Sequence, residues 1–151
     1  AAARLLRGAV SRDHQDEQGK ESATRHPPNL PHRQGEDEAR AFTGCSDEVK
    51  AIKVLSENTQ IAALKIGKRG SLVAHGGNIL KIEPRGSGDV VDTTGAGDLW
   101  AAGFLFGLVN GYSLANSGKL GSACGYEVCR VIGTKIPEDG WRRIKRLIRE
   151  A

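Results

Sequence analysis

The sequence contains no methionine, only three cysteines and few aromatic residues, which make up 5% of the chain. Three cysteines cannot all pair, and no two have a CxxC spacing. The sequence therefore excludes a disulfide framework and favours reduced thiols in a cytoplasmic protein. No apolar run approaches the roughly 18 residues of a transmembrane helix, so no membrane partner is expected. The chain begins at Ala1 without an initiator methionine, which predicts that it is a fragment.

Aliphatic residues are scarce near the beginning of the chain. Between Ser11 and Glu38 the only aliphatic side chains are Ala23 and Leu30. Such a segment cannot bury enough apolar surface to offset its conformational entropy. Residues 1–34 are therefore predicted to form a disordered leader, and residues 35–151 to form the folded part.

The net charge of +4 is mild and suits an anionic nucleotide without requiring one. A basic cluster near the end of the chain raises the alternative of nucleic-acid contact. No aromatic or glycine residues interleave the cluster, so the solvated face of a helix explains it better. We therefore predict no nucleic-acid partner. The cluster consists of Arg142, Arg143, Lys145, Arg146 and Arg149.

Strand and helix patterns follow one another through the folded part. The order of these patterns predicts an α/β fold with a largely parallel sheet and flanking helices. Strands are predicted at Gln60–Ile66, at Ser71–Ala74 and Ile79–Ile82 as a hairpin, and at Val90-Val91; helices are predicted from Ser46 to Asn58, after Asp98, from Ser113 to about Arg130, and from Pro137 onward.

A glycine-rich turn with a carboxylate precedes the most apolar stretch of the chain. Gly95 and Gly97 allow backbone N–H groups to converge at the start of a helix predicted to be buried, which makes the turn a plausible anion cradle. Asp98 fits this cradle if it takes up a proton while the amides hold developing negative charge, as phosphoryl transfer requires. The alternative is that Asp98 only caps the helix.

The segment Asp92-Thr93-Thr94-Gly95-Ala96-Gly97-Asp98, followed by Ala102-Gly103-Phe104-Leu105, resembles the second signature of the ribokinase (PfkB) family of sugar and nucleoside kinases. It looks most like the adenosine-kinase-like branch. The resemblance implies that Asp98 is the catalytic base and that the amides of Gly95, Ala96 and Gly97 form the anion hole. It covers roughly residues 35–148 and implies the C-terminal, nucleotide-binding part of a ribokinase-like fold.

The same resemblance implies contacts to ATP. The segment Lys65-Ile66-Gly67-Lys68-Arg69-Gly70 is similar to a strand end that touches the ATP phosphates in the family. Gly67 and Gly70 match the family positions. Lys65 replaces a threonine that the family usually has, so a hydroxyl contact is lost while an ammonium could still meet a phosphate.

The resemblance also implies metal sites. The segment Gly35–Gly44 looks like the family's Asn-x-x-Glu helix, in which Glu38 takes the place of the glutamate that helps to position Mg²⁺ and phosphates. Gly35 replaces the asparagine, so restoring asparagine there is expected to strengthen Mg²⁺-ATP binding. Asp92 and Thr94 match a turn that binds a monovalent cation, which makes K⁺ a further candidate.

The chemistry predicted from these residues is ATP-dependent phosphorylation of a hydroxyl group on a sugar or nucleoside. Trp100 weakly favours a nucleoside, and the full-length form is a candidate homodimer. The family's acceptor-binding half and lid are not recognisable in this sequence. The alternatives are a non-catalytic nucleotide-binding fragment and a truncated gene product without the substrate lobe.

Overall fold

The computed structural model describes residues 34–57, 59–86, 88 and 90–150. The predicted leader lies outside these residues except for Gln34, which belongs to the first helix. The elements, in chain order, are α1 (Gln34–Thr43), α2 (Glu48–Ser56), β1 (Ile61–Lys65), a 3-10 turn (Gly67–Arg69), β2 (Ser71–His75), β3 (Asn78–Ile82), α3 (Ala96–Val109), α4 (Leu114–Cys129) and α5 (Glu138–Glu150).

The three described strands form one antiparallel sheet in the order β1-β2-β3. Ile61 pairs with His75, and His75 in turn pairs with Asn78 across the turn that closes the predicted hairpin. The expectation of a largely parallel sheet is not confirmed. Parallel pairing needs a long crossover, whereas here only a 3-10 turn and a two-residue turn separate consecutive strands.

The predicted strand at Val90-Val91 is also not found. Both residues lie in an irregular segment and are 57% exposed. The Val91 N–H donates to the Cys129 carbonyl oxygen at the end of α4. These β-branched residues therefore have no neighbouring strand among the described residues with which to form a ladder.

The sheet is covered on both faces. On one side Ala39 of α1 and Ile52 of α2 pack on Leu64, Leu72 and other buried strand residues. On the other side lies a cluster of Val73, Ile82, Trp100 and Phe104, in which α3 meets the sheet. Alternation along β2 explains both contacts, because successive side chains of a strand point to opposite faces.

The helix boundaries follow capping rules that the sequence carries. Asp47 caps α2 by accepting from the Lys50 N–H at 2.8 Å, and Ser113 caps α4 by accepting from the Asn116 N–H at 3.1 Å. Gly111, with φ 78°, follows the end of α3, a position that favours glycine. The predicted helices at these positions are confirmed.

Glycines allow α3 and α4 to approach closely. A Cβ on Gly103 would lie 2.9 Å from the Leu120 carbonyl oxygen, and one on Gly107 would lie 2.8 Å from Ser117 Cα. From the other helix, a Cβ on Gly121 would lie 2.8 Å from the Trp100 carbonyl oxygen. Side chains at these three positions would push the helices apart, so this pair is packed backbone to backbone.

The expectation that α3 is a buried helix is wrong for one of its faces. Trp100, Gly103, Phe104 and Gly107 are buried against α4 and the sheet. On the opposite side Leu105, Phe106 and Val109 are 40%, 43% and 65% exposed. Hydropathy alone did not reveal this, because the exposed face of α3 is as apolar as its buried face. Among the residues that the structure describes, no helix combines the length and apolar character needed to cross a bilayer.

Candidate functional site

Asp98 lies in the first turn of α3 and does not cap it. The cap residue is Gly95, with φ 77°, and it has no side chain that could bond to the helix. Asp98 is exposed, and within the described part of the chain its carboxylate has no hydrogen-bond or ion-pair partner. The capping alternative therefore has no contact to support it, and the carboxylate is accessible from solvent.

The backbone amides at the start of α3 differ in their availability. The Ala96 N–H donates to the Thr93 carbonyl oxygen at 3.1 Å, so this predicted anion-hole amide already has an acceptor. For the N–H groups of Gly95 and Gly97 the described residues provide no backbone acceptor. The N-terminal end of a helix carries partial positive charge, so these two amides are better suited to an anion than Ala96.

The carboxylate of Asp92 fixes the turn that leads into α3. One oxygen accepts from the Thr94 N–H at 2.9 Å and from the Thr94 hydroxyl at 2.7 Å, and the other accepts from the Gly133 N–H at 2.9 Å. The bond from Gly133 and those from Thr94 lower the pKa of Asp92. Asp92 and Thr94 are thus in direct contact, and Asp92 joins the turn to the loop after α4.

That loop also touches the glycine turn directly. A Cβ on Gly95 would lie 2.8 Å from Thr134 Cγ2, so Thr134 packs where a side chain would otherwise stand. Just before this loop, Glu127 of α4 is 5% exposed and accepts two hydrogen bonds from Arg143 of α5, at 2.6 and 2.8 Å. A further bond comes from Arg130 at 3.2 Å. These bonds, chiefly those from Arg143, lower the pKa of Glu127.

Lys65 joins the end of β1 to the start of α3. A Cβ on Gly97 would lie 2.6 Å from Lys65 Nζ, so the ammonium group rests against the glycine turn. The described residues offer Lys65 no carboxylate partner. A cation beside the positive end of a helix is unfavourable unless an anion lies between them, so this arrangement fits a phosphate.

The two glycines of the 3-10 turn have different reasons to be glycine. A Cβ on Gly70 would overlap the Ile82 carbonyl oxygen, so Gly70 is required for the packing of this turn on β3. Gly67 has φ 58° and open space around it. Of the two, Gly67 is therefore the position that a ligand can approach.

Arg69 is a residue of this region that the sequence analysis did not identify. It pairs with Glu36 of α1 at 2.9 Å and with Glu48 of α2, where one of two bonds measures 3.1 Å. These carboxylates raise the pKa of Arg69. The only available signal was a basic residue in a turn and acidic residues at helix starts. Arg69 holds the 3-10 turn against α1, which carries Glu38.

Gly35 has a packing role. A Cβ at this position would lie 2.7 Å from the Lys65 carbonyl oxygen. The expectation that asparagine at position 35 strengthens Mg²⁺-ATP binding therefore needs correction. Any side chain there must first displace the end of β1, which carries Lys65.

The described residues contain no group of three or more histidine, cysteine, aspartate or glutamate side chains that could hold a metal by themselves. Glu38 is an exposed carboxylate on α1, and a single carboxylate is the kind of ligand that Mg²⁺ uses together with phosphates and water. Glu38 therefore fits a magnesium nucleotide better than free Mg²⁺.

A cavity of about 250 Å³ lies elsewhere, between α4 and α5. None of the predicted site residues contributes to it. Its lining includes Tyr112, Lys119, Leu120 and Leu147.

Comparisons with known proteins agree on one family. Residues 33–140 match the pfkB family of carbohydrate kinases. The ATP-dependent 6-phosphofructokinase of Thermoanaerobacterium thermosaccharolyticum is 35% identical over 101 residues, which cover 67% of this chain and 31% of that protein. The adenosine kinase of Schizosaccharomyces pombe is 33% identical over 87 residues, 56% of this chain and 26% of that protein.

A solved structure shows the same similarity in three dimensions. The adenosine kinase from Sinorhizobium meliloti superimposes with a TM-score of 0.68 and 35% identity, covering 75% of this chain and 34% of that one. The described fold is thus an α/β arrangement of the ribokinase type. The chain spans about a third of the length of the relatives that it matches.

Proposed function

This chain belongs to the pfkB family of carbohydrate kinases, and on that premise we propose that it takes part in ATP-dependent phosphorylation of a sugar or nucleoside hydroxyl. The relatives that it matches include an ATP-dependent 6-phosphofructokinase and adenosine kinases. These names support ATP as the donor and leave the acceptor open between sugar and nucleoside.

The observation that carries the proposal lies in one helical turn: among the described residues, the Asp98 carboxylate has no partner and the N–H groups of Gly95 and Gly97 have no backbone acceptor. Asp98 can accept the proton of the acceptor hydroxyl as the oxygen attacks the terminal phosphorus of ATP. The new oxygen–phosphorus bond forms while the bond to ADP breaks. The N–H groups of Gly95 and Gly97 then stabilise the negative charge on the transferred group.

Lys65 adds a full positive charge beside the N-terminal turn of α3. Because its ammonium group rests against Gly97, we assign Lys65 to the phosphate being transferred, beside Asp98. This contact replaces the hydroxyl of the usual threonine with a charge-assisted bond.

We include Mg²⁺ and K⁺ in the proposal as cofactors. Glu38 is the residue that would help to hold magnesium bound to the nucleotide phosphates. The bond between Arg69 and Glu36 keeps α1, which carries Glu38, beside the 3-10 turn. When bound, magnesium would neutralise phosphate charge. Asp92 remains the candidate for K⁺, although both of its oxygens already accept hydrogen bonds.

A second candidate function is nucleotide binding without catalysis. The observation in its favour is that the chain spans only about a third of its relatives. Positioning of the acceptor supplies several kcal/mol of a typical barrier. The 151-residue chain alone is therefore expected to turn over far below roughly 1 per second, the lower end of typical enzyme rates.

The decisive experiment measures nucleotide binding and phosphoryl transfer separately. Calorimetry of the 151-residue chain with Mg²⁺-ATP should show binding that Lys65→Met weakens and Asp98→Asn leaves nearly unchanged. Transfer to adenosine, ribose and fructose is then measured in a chimaera in which the chain replaces the matched third of the Sinorhizobium adenosine kinase.

In the chimaera, Asp98→Asn should lower turnover by at least roughly 100-fold, the scale of losing a general base. The matched control is Glu57→Gln, which neutralises an exposed carboxylate at the end of α2. Near-normal turnover of the Asp98 variant would remove this residue from catalysis. Nucleotide binding without transfer in the unmutated chimaera would favour the second candidate function.

A further inference from the structure

The cavity of about 250 Å³ between α4 and α5 has an apolar lining in its more buried part. Leu120 of α4 is 4% exposed, and the half-buried side chains of Tyr112 and Leu147 lie beside it. Cavities that hold drug-sized ligands measure about 300–1,000 Å³ and are mostly apolar with a few polar groups. This cavity therefore has the composition of a ligand site and the size for a smaller molecule.

Contacts at two places along α5 fix the walls of this cavity. The Tyr112 hydroxyl donates to the Ile148 carbonyl oxygen at 3.1 Å, which joins the loop before α4 to α5. The Tyr112 N–H donates to the Gly107 carbonyl oxygen at 2.9 Å. Nearer the start of α5, Arg143 bonds to Glu127 of α4. Because these contacts form without a ligand, the cavity is preformed, and this reduces the ordering cost of binding.

Three charged side chains line the more exposed part of the cavity. Arg85, in the segment after β3, and Lys119 of α4 are exposed cations, and Glu150 at the end of α5 is an exposed carboxylate. Among the described residues, neither cation has a carboxylate partner and Glu150 has no cation partner. Two positive charges and one negative charge are therefore available to a ligand in this space.

We propose that this cavity is a binding site for a sugar monophosphate, separate from the candidate active site. A phosphate monoester carries a charge of about −1.5 to −2 near pH 7, which matches the two cations. The guanidinium group of Arg85 fits two phosphate oxygens at once, and the ammonium group of Lys119 supplies the second charge. The sugar hydroxyls donate to Glu150, and the ring carbons pack on Tyr112 and Leu147.

Glu150 distinguishes a sugar monophosphate from inorganic phosphate. A carboxylate repels a phosphate ion at close range but accepts hydrogen bonds from neutral hydroxyl groups. The ligand must therefore carry neutral donors at a distance from its anionic group. A sugar monophosphate has both, and its ring also covers the apolar lining that an inorganic ion would leave in contact with water.

The cavity lies away from the glycine turn. Gly125 marks the place where α4 meets the start of α3, since a Cβ there would lie 3.1 Å from the Ala96 carbonyl oxygen. Lys119 precedes Gly125 by six residues, which is about 9 Å along the helix and about 240° around it. The two residues therefore lie on different sides of α4. The proposed site uses none of the residues assigned to phosphoryl transfer and does not rest on the proposed function.

Calorimetry of the 151-residue chain with ribose 5-phosphate and with glucose 6-phosphate, without ATP, tests the site. Both compounds should bind saturably. Lys119→Met and Arg85→Met should each weaken binding roughly tenfold or more, because each removes a charge-assisted bond. The matched control is Lys145→Met, which removes an exposed cation of α5 outside the cavity and should leave the affinity nearly unchanged.

A further variant separates recognition of the sugar from attraction between charges. Glu150→Gln should weaken the binding of ribose 5-phosphate severalfold, because the ionised carboxylate is the stronger acceptor. The same variant should bind inorganic phosphate more tightly than the wild type, since it removes a like charge. Ribose alone and malate, a dianion with a single hydroxyl group, should both bind more weakly than ribose 5-phosphate.

The inference would be overturned by a lack of saturable binding of both sugar phosphates, by equal losses in Lys145→Met and Lys119→Met, or by phosphate or malate that binds as tightly as the sugar phosphates. Binding that Lys65→Met abolishes and Lys119→Met leaves intact would place the ligand at the glycine turn and overturn it as well. Because the titration uses no ATP, a chimaera without phosphoryl transfer would contradict the proposed kinase function and leave this site intact.

Discussion

Helices α3 and α4 pack against each other, but the more apolar helix, α3, is the less buried of the two. In α3, Asp98 is the only charged residue among 14, yet the Leu105 side of the helix is exposed. Helix α4 contains three glycines, two serines and a glutamate, yet most residues from Ser117 to Cys129 are buried. Burial therefore depends on which neighbours are present. Helix α4 contacts α3, α5, β2 and β3, whereas the buried residues of α3 all lie on one side of that helix.

The largest effect on the free energy of unfolding is expected from substitutions on the buried side of α3. Phe104 is 5% exposed and Phe106 is 43% exposed, so the same substitution can be made two residues apart in one helix. Phe104→Ala should lower the free energy of unfolding by about 3 kcal/mol, because it leaves a cavity beside Trp100. Phe106→Ala should cost less than about 1 kcal/mol. Urea denaturation of both variants gives the difference.

Equal losses at the two phenylalanines would show that the Phe106 side of α3 is already covered within this chain. The comparison between α3 and α4 would then fail.

A smaller effect is expected at the buried charge of α4. Glu127→Gln should lower the free energy of unfolding by about 2 kcal/mol at neutral pH. This lies below the usual cost of breaking a buried pair, because Arg143 is 41% exposed. Bonds from Arg143 lower the pKa of Glu127 in the folded protein. Its stabilising contribution is therefore present above the unfolded pKa, near 4.5, and is lost as the pH falls through the folded value.

Urea titrations of the wild type and Glu127→Gln from pH 7 to pH 3 test this sign. The stability gap should be widest at neutral pH and should narrow below about pH 4.5. Asp92, whose pKa is also lowered but by bonds from Gly133 and Thr94, remains in both proteins and acts as an internal control. A gap that widens in acid would contradict the assignment.

The smallest effect is expected in the rates at which the cysteines of the native protein react with a thiol reagent. Burial in α4 raises the pKa of the Cys124 thiol to about 11 and also raises that of Cys129. Cys45 lies outside α4 and is half-buried. A thiol reagent at pH 8 should modify Cys45 first and the other two slowly, since the thiolate is the reactive form. Comparable rates at all three positions would mean that α4 is less enclosed than described.

Helix caps and turns could be predicted from the sequence, because each depends on a few adjacent residues. The caps Asp47 and Ser113, the hairpin turn and the stop at Gly111 all follow from backbone preferences at single positions. The turn from Asp92 to Asp98 was identified for the same reason. Its internal bonds, from the Thr94 N–H and hydroxyl to Asp92, join residues two apart, so this part of its geometry follows from the local sequence.

Contacts between residues far apart in the chain could not be predicted from the sequence. No local pattern shows that Lys65 rests against Gly97, that Arg69 bonds to Glu36, or that the Gly133 N–H reaches Asp92. The hairpin was predicted, but the alternation of strand and helix patterns also predicted a largely parallel sheet, which is not confirmed among the described strands because short turns separate them.

The sequence by itself determined the family, the position of Asp98 and the glycine turn before it, because these depend on a short run of residues with fixed spacing. The tertiary structure decided which amides remain available, where the Lys65 ammonium lies and which side of α3 is covered. These properties depend on which atoms from distant parts of the chain occupy the same space. A list of hydropathies cannot specify this, because an apolar face is buried only where a partner packs against it.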